Sequence, residues 1–434
     1  MATREKERMV GEEPRLKGGW RDPVLAGVVA LCLLVRLAVL CGLPADYQRL
    51  PRDVDLYGYF ADRLAHGESY SLPGEDRPTA IRPPLYPLLL APIYAVGLGE
   101  TPVPLLLQAM LDAATCILLY LFARQLRGSR SAARLAALFW AVYLPEASMT
   151  TRLWTEPLAA LLATAALWAL AAAIQGRGGR WEVGAGVLLG LGALTRSTLL
   201  PLAGVVVVVM ALVGQGGWGV RLRRAALILI TCLITLSPWI ARNAIAFGAF
   251  VPTTTHGGTT FYEGNCGLGD GDFLRNIHPE ESNMRFSREM ERRYGIVVDS
   301  LSEPERDRLF RAEASQLIRA HPGRYVLLSL QRFTRLWGNV GYGGETPSRQ
   351  SLAVCALNGL LLLAFVIGLL LHVRSILPAA APALALVAGA TLLHMVIIAY
   401  IRYSFPLVPA VAAMTIILLR LNELLPCRLR SEGG

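Results

Sequence analysis

The stretch Val24-Leu-Ala-Gly-Val-Val-Ala-Leu-Cys-Leu-Leu-Val-Arg-Leu-Ala-Val-Leu-Cys-Gly-Leu43 decides the fold class. Its 20 residues, at about 1.5 Å each in a helix, reach about 30 Å, the thickness of a bilayer's hydrocarbon core. Apolar blocks of comparable length recur to the end of the chain, many without a charge. The 434-residue chain is 54% hydrophobic and 17% charged, with a mean hydropathy of +0.45; soluble domains carry about 25% charged residues. This excludes a soluble globular domain, a disordered chain, collagen and a soluble coiled coil. The class expected is all-α, a polytopic helical membrane protein.

Direction follows from the basic residues. The net charge of +10 could suggest nucleic acid in a soluble chain. Here the arginines gather in short loops between apolar blocks, as the positive-inside rule requires, so no nucleic-acid partner is expected. Arg4, Lys6, Arg8, Arg15, Lys17 and Arg21 hold the N-terminus in the cytoplasm, and Arg428 and Arg430 the C-terminus. The first apolar run lacks a small-residue cleavage site and reads as a retained span. Further spans are expected at 103–122, 131–146, 153–175, 183–194, 198–214, 225–242, 351–371, 377–396 and 405–424, about 10 in all within a range of about 10–13. The segment 85–99 is short and broken by Pro87 and Pro92, and suits a juxtamembrane or re-entrant helix. Tyr325–Trp337, with Arg332 and Arg335, suits an interfacial helix.

Three parts result: 1–242, an N-terminal transmembrane module including an outer loop at 44–82; 243–350, a large outer loop; and 351–434, the closing helices with a short tail. An unstructured connection as long as 243–350 is uncommon and usually functional. The chemistry is therefore expected on the outer face. The seven cysteines form no CxxC pair, and the six histidines are scattered, so no metal cluster is indicated.

The polar residues of that face form a pattern. Asp53 and Asp55 precede the helical repeat of Tyr57, Phe60, Ala61 and Leu64. Carboxylates at a helix start serve as caps or as proton acceptors and hydroxyl-orienting groups. Arg82 precedes Pro83-Pro84-Leu-Tyr86, a rigid frame for a five-donor cation suited to phosphate. Arg152 and Glu156 open a span and, four apart, could pair with each other. Arg196 interrupts a long apolar stretch, which makes it a functional candidate. Arg402 precedes Pro406 and Pro409. Arginines at the outer boundary oppose the cytoplasmic bias, and a shared anionic ligand would explain the exception. His256, Tyr262, Glu263 and Asn265 supply groups a sugar would require, although His256 alone reads more readily as structural. The stretch 280–322, with Arg and Glu interleaved, reads as a solvated helical pair.

These elements, in this order, resemble the polytopic glycosyltransferases of the GT-C superfamily that use lipid-linked sugars. Within it they are similar to the bacterial family akin to protein O-mannosyltransferases and lipid A aminoarabinose transferases (glycosyltransferase families 39 and 83). The resemblance rests on Asp53/Asp55 to Tyr57 with Ala61 and Gly67, Arg82-Pro-Pro-Leu-Tyr-Pro87, Gly190-Leu-Gly-Ala-Leu-Thr-Arg196, Pro238-Trp-Ile-Ala-Arg-Asn243, Gly257-Gly, Gly264-Asn, and Arg402-Tyr-Ser-Phe-Pro406. It implies a GT-C fold; the short loops and the Gly, Pro and Arg content point to a bacterial plasma membrane. The resemblance also implies a polyprenyl-phosphate donor bearing one sugar, a glycan, lipid or protein acceptor on the outer face, and inversion at the anomeric carbon. By resemblance Asp53 or Asp55 is the catalytic carboxylate, the spacing to Tyr57 favouring Asp53. By resemblance Arg82 is the residue expected at the donor phosphate, and by position Arg196 and Arg402 are candidates to join it; Tyr57, Tyr86, Glu156, His256, Tyr262, Glu263 and Asn265 are candidate sugar or acceptor contacts. Some relatives use a divalent cation, but the carboxylates here form no clear metal set. The competing expectations are a secondary transporter, which would show inverted repeats and midplane polar groups, and a non-catalytic scaffold for cell-envelope assembly.

Overall fold

A computed structural model describes residues 22–42, 53, 55–126, 128–274, 277–338 and 349–424. The basic N-terminal tail, the start of the first loop at 44–52, and Arg428 and Arg430, on which part of the orientation rests, lie outside them. Among the described residues the only β pairing is an isolated bridge between Ser71 and Pro78; everything else regular is helical, as expected.

Among the described residues six helices are long and apolar enough to cross a membrane. Of these, α1 (Pro23–Cys41), α4 (Val103–Gln125), α6 (Glu156–Ile174) and α9 (Trp218–Phe247) belong to the N-terminal module. The long span Leu352–Ile376 lies in α14 (Arg349–Ile376), and the span Ile401–Arg420 joins a 3-10 segment, Ile401–Leu407, to α16 (Val408–Leu424). Between them stand α5 (Arg130–Val142), α7 (Gly179–Thr195), α8 (Leu199–Val213) and α15 (Ala381–Val396), of 13, 17, 15 and 16 residues. These and the long helices fall on the spans read from the sequence. The segment expected to be juxtamembrane is α3 (Leu85–Ala95), whose 11 residues measure about 16 Å, half a bilayer core.

Small residues set the closest approach. A Cβ on Gly190 of α7 would lie 2.7 Å from the Thr235 Cβ of α9, and one on Gly186 would collide with Thr231 Oγ1. Two glycines four apart thus let α7 and α9 meet backbone to backbone, the small-xxx-small solution of membrane bundles. This contact fixes the end of α7, where the chain turns at Arg196.

The two long loops do not hang free. The first contains α2 (Tyr57–Ala65), which packs on α3. The second folds into α10 (Gly257–Asn265), α11 (Pro279–Tyr294), α12 (Glu303–Ala320) and α13 (Pro322–Gly338). The solvated pair expected at 280–322 instead buries one face. Phe286 stacks on Phe310 with ring centroids 3.5 Å apart, and Tyr262 meets both edge-on; Met290 and Ala314 complete a small core. The arginine-glutamate pattern occupies the opposite face, where Arg292 and Arg293 pair with Glu289. On α13, both Arg332 and Arg335 are buried. Arg332 donates to the carbonyls of Met395 at 3.0 Å and Val396 at 2.9 Å, satisfying the open end of α15; Arg335 donates to the Leu274 carbonyl.

Candidate active site

Where the first loop meets the second, a cavity of about 800 Å³ opens between the bundle and helices α10 and α12. Small-molecule sites span about 300–1,000 Å³, so there is room for more than one sugar-sized group.

The entry to α2 separates the two aspartates. The Asp53 carboxylate accepts the backbone N–H of Tyr59 at 2.8 Å and so serves the exposed helix start as a cap. It is not part of the cavity wall, and burial pushes its carboxyl above the usual range. Gly58 permits this closeness, because a Cβ there would sit 3.1 Å from Asp53 Oδ2 and 2.9 Å from a Leu153 methyl. Next, Leu56 takes φ 64°, ψ 19°, a left-handed conformation costing a non-glycine residue of order 1–3 kcal/mol. Asp55, just before this reversal, faces the cavity instead. The spacing that favoured Asp53 for the site selects the cap; the residue placed among the cavity's charges is Asp55.

Arg82 meets it. Its Nη2 donates to Asp55 Oδ1 at 2.7 Å and its Nε to the Asp55 carbonyl at 3.1 Å. Its guanidinium lies 5.8 Å from the Tyr57 ring centroid, and Tyr70 Oη donates to its carbonyl at 3.2 Å. Arg402 approaches the other Asp55 oxygen at 3.4 Å. Burial would raise the Asp55 carboxyl, but Arg82 and Arg402 outweigh it and hold it below the ordinary value.

Glu156, the first residue of α6, joins the same cluster. Its Oε1 is 2.7 Å from Arg196 Nη1 and 3.9 Å from Arg402 Nε. The pairing with Arg152 that their spacing allowed does not form; Arg152 lies over Trp154, 5.1 Å from the ring centroid. Arg196 also donates to Thr155 Oγ1 at 3.1 Å and covers Tyr403 at 5.0 Å. Thus Arg82, Arg196 and Arg402, from three distant parts of the chain, converge on two carboxylates in one wall. These guanidiniums occupy both carboxylates, and among the described residues no three His, Cys, Asp or Glu side chains form a metal set. The residues present do not fit a divalent cation.

The facing wall comes from the second loop: Thr253 to Thr255, His256, Thr260 and, on α12, Asp307, Arg308 and Arg311. Glu303, at the start of α12, ties the walls together. It accepts Thr79 Oγ1 at 2.5 Å, the Ala80 N–H at 2.9 Å and Thr255 Oγ1 at 2.6 Å. The imidazole of His256 is kept neutral, its pKa depressed to about 3 by burial and by Arg82 and Arg306.

Other candidates sit elsewhere. Tyr86 is fully buried, donates to Gln108 Oε1 at 2.9 Å and supports Tyr57 edge-on at 5.2 Å; it backs the wall without lining it. Tyr262 belongs to the core of the second loop. Asn265 is fully buried, donating to the Phe261 carbonyl at 2.7 Å and accepting from Arg332 at 3.0 Å. Glu263 lies outside the cavity lining; burial raises its carboxyl to about 7, against the pull of Arg82. Glu303, Asp307, Arg308 and Arg311 were not singled out from the sequence. Their signal was the Ser302-Glu303-Pro304-Glu305 start, a capping box of Ser302 with Glu305 that fixes the helix phase.

With this geometry in view, the fold can be placed: the chain shares the polytopic helical fold of solved oligosaccharyltransferase structures of GT-C type. The family described as dolichyl-phosphate-mannose-protein mannosyltransferase matches residues 81–241, which include Arg82, Glu156 and Arg196 but neither Asp55 nor Arg402. No curated protein sequence matches the chain. Among solved structures it is similar to the archaeal oligosaccharyltransferase AglB from Archaeoglobus fulgidus, in complex with an inhibitory peptide and a dolichol-phosphate. The TM-score is 0.54 at 12% identity, covering 94% of this chain and 52% of that one. A second structure of the Archaeoglobus fulgidus oligosaccharyltransferase, tethered to an acceptor peptide, gives 0.53 at 13% identity over 94% and 51%. The chain thus spans about half the length of these proteins. ArnT from Cupriavidus metallidurans bound to undecaprenyl phosphate gives 0.40 at 17% identity over 92% and 78%, a score that adds nothing to the fold assignment.

Proposed function

We propose that this chain is an inverting glycosyltransferase of the bacterial plasma membrane. It moves a sugar from a polyprenyl-phosphate donor to an acceptor hydroxyl or phosphate on the outer face, with both termini cytoplasmic. The observation that carries this reading is the convergence of Arg82, Arg196 and Arg402 on Asp55 and Glu156 in one wall of a large cavity. Three permanent cations against two carboxylates leave a positive excess suited to a phosphate, and the fork of arginine matches phosphate oxygens.

The chemistry follows from that competition. A donor phosphate drawing Arg82 and Arg402 toward itself loosens their hold on Asp55, whose basicity then rises. The acceptor oxygen bonds to the anomeric carbon while the bond from that carbon to the phosphate oxygen breaks. The electron pair passes to the phosphate, where the arginines stabilise it, and the acceptor's proton passes to Asp55. One base and one supported leaving group suffice for inversion. The AglB structure holds a dolichol-phosphate, which supports a polyprenyl-phosphate ligand for this fold.

The test uses purified protein in proteoliposomes containing a radiolabelled polyprenyl-phosphate sugar and a cell-envelope extract as acceptor. Asp55→Asn and Arg82→Ala are expected to abolish sugar transfer. Normal transfer by both variants would contradict the reading, and movement of the intact donor without transfer would indicate a transporter.

A further inference from the structure

The two walls of the cavity differ in how their charges are balanced. In the bundle wall every arginine touches a carboxylate: Arg82 and Arg402 meet Asp55, and Arg196 meets Glu156. On α12, Arg308 and Arg311 stand three residues apart, so they share a helix face, and both line the cavity. The acids beside them are already committed: Glu305, which interacts with Arg308, accepts the backbone N–H and hydroxyl of Ser302, and Asp307 is held twice. One of its oxygens accepts the backbone N–H of Gly258 at the start of α10, and the other pairs with Arg311 at 3.0 Å. Arg308 has no ion-pair partner among the described residues, and Arg311 remains 57% exposed beside an acid that is 15% exposed. An exposed pair of this kind is weak and exchanges readily for a ligand.

The two sets stand on different elements: Arg308 and Arg311 on α12, and Arg82, Arg196 and Arg402 outside it, all lining one cavity with His256. Thr254, Thr255 and Thr260 also line the cavity; their hydroxyls donate to the Ile81 carbonyl, Glu303 and the His256 carbonyl, which leaves their oxygens as acceptors. A transferase needs two substrates in one cavity, and this one has an anion-binding group at each wall.

We propose that Arg308 and Arg311 form a second anion subsite that binds a phosphate ester on the acceptor, opposite the carrier phosphate. This rests on the glycosyltransferase reading and assigns its acceptor a charge class. The guanidinium pair holds the acceptor's phosphate, and the threonine hydroxyls contact the portion between that phosphate and the reacting group. The phosphate belongs either to a lipid headgroup or to a soluble sugar phosphate.

Titration calorimetry on the full-length protein in detergent separates these. Dihexanoyl phosphatidic acid represents the lipid source and glucose 6-phosphate the soluble one, each titrated with and without saturating undecaprenyl phosphate. At least one is expected to bind the wild-type protein one to one, with carrier present. Arg308→Gln/Arg311→Gln is expected to weaken that binding at least tenfold and Arg308→Lys/Arg311→Lys to restore most of it, with undecaprenyl phosphate affinity unchanged. Failure of both probes, undiminished binding by the glutamine variant, or an equal loss of carrier affinity in that variant would overturn the assignment. The carrier-free titration reads the subsite by itself, so absence of carrier binding with intact probe binding points to failure of the glycosyltransferase reading instead.

Discussion

Two arginine–carboxylate pairs inside this bundle have opposite characters. Arg36 of α1 bonds Asp112 of α4 at 3.0 Å with both side chains fully buried. Its remaining donors reach the carbonyls of Ala141 and Trp140 at the end of α5. Arg82 and Asp55 meet at 2.7 Å but remain 26% and 17% exposed, with Arg402 attached to the same carboxylate and an 800 Å³ cavity in front. An ionisable group within a membrane protein is a functional candidate by default. The comparison supplies a criterion finer than that default. Donors closed on helix-end carbonyls fasten three helices, whereas donors sharing a carboxylate at a cavity wall can exchange it for a ligand.

The largest expected effect separates the pairs by turnover. Asp55→Asn should lower sugar transfer by about 10²–10⁴-fold, the range of a lost proton acceptor. Comparable transfer by the wild-type and Asp55→Asn proteins would remove the distinction. Next comes stability. Arg36→Ala or Asp112→Ala strands a buried charge and should cost about 3–5 kcal/mol, whereas Arg36→Met with Asp112→Leu should recover most of it. Thermal unfolding in detergent checks this, and a double variant no better than the singles would sink the fastening role.

Smaller effects come from pH. The Asp55 carboxyl is depressed in the folded protein, so its stabilising contribution is present above the unfolded value of about 3.9 and is lost as pH falls through the folded value. The melting temperature should drop more steeply below about pH 4 in wild type than in Asp55→Asn. Glu263 is the reverse case, raised to about 7. Its neutral form is favoured by folding, so its destabilising effect is absent below the unfolded value and complete above the folded one. Glu263→Gln should therefore raise the melting temperature at pH 8 and leave it nearly unchanged at pH 4. A shift independent of pH would refute the burial argument.

The sequence made some of this legible and concealed the rest for physical reasons. Arg82, Arg196 and Arg402 were legible because the orientation expected from the basic loops makes them exceptions to the charge rule, and the structure joins all three. Choosing between Asp53 and Asp55 depends on a left-handed Leu56, which no propensity for leucine announces. Tyr262 and Asn265 looked like sugar contacts because Phe286 and Phe310, which enclose Tyr262, were hidden among alternating charges. Arg36 passed unnoticed in the very run that decides the fold, since one arginine scarcely alters a 20-residue apolar average.

The most direct measurement is equilibrium binding of undecaprenyl phosphate to the purified protein and to its Arg82→Ala variant. Saturable one-to-one binding to the first, weakened at least tenfold in the second while Arg36→Met with Asp112→Leu binds as wild type, is the expected result. No binding to the wild-type protein, or equal affinity in Arg82→Ala, would contradict the claim that the open cluster exists to hold a carrier phosphate.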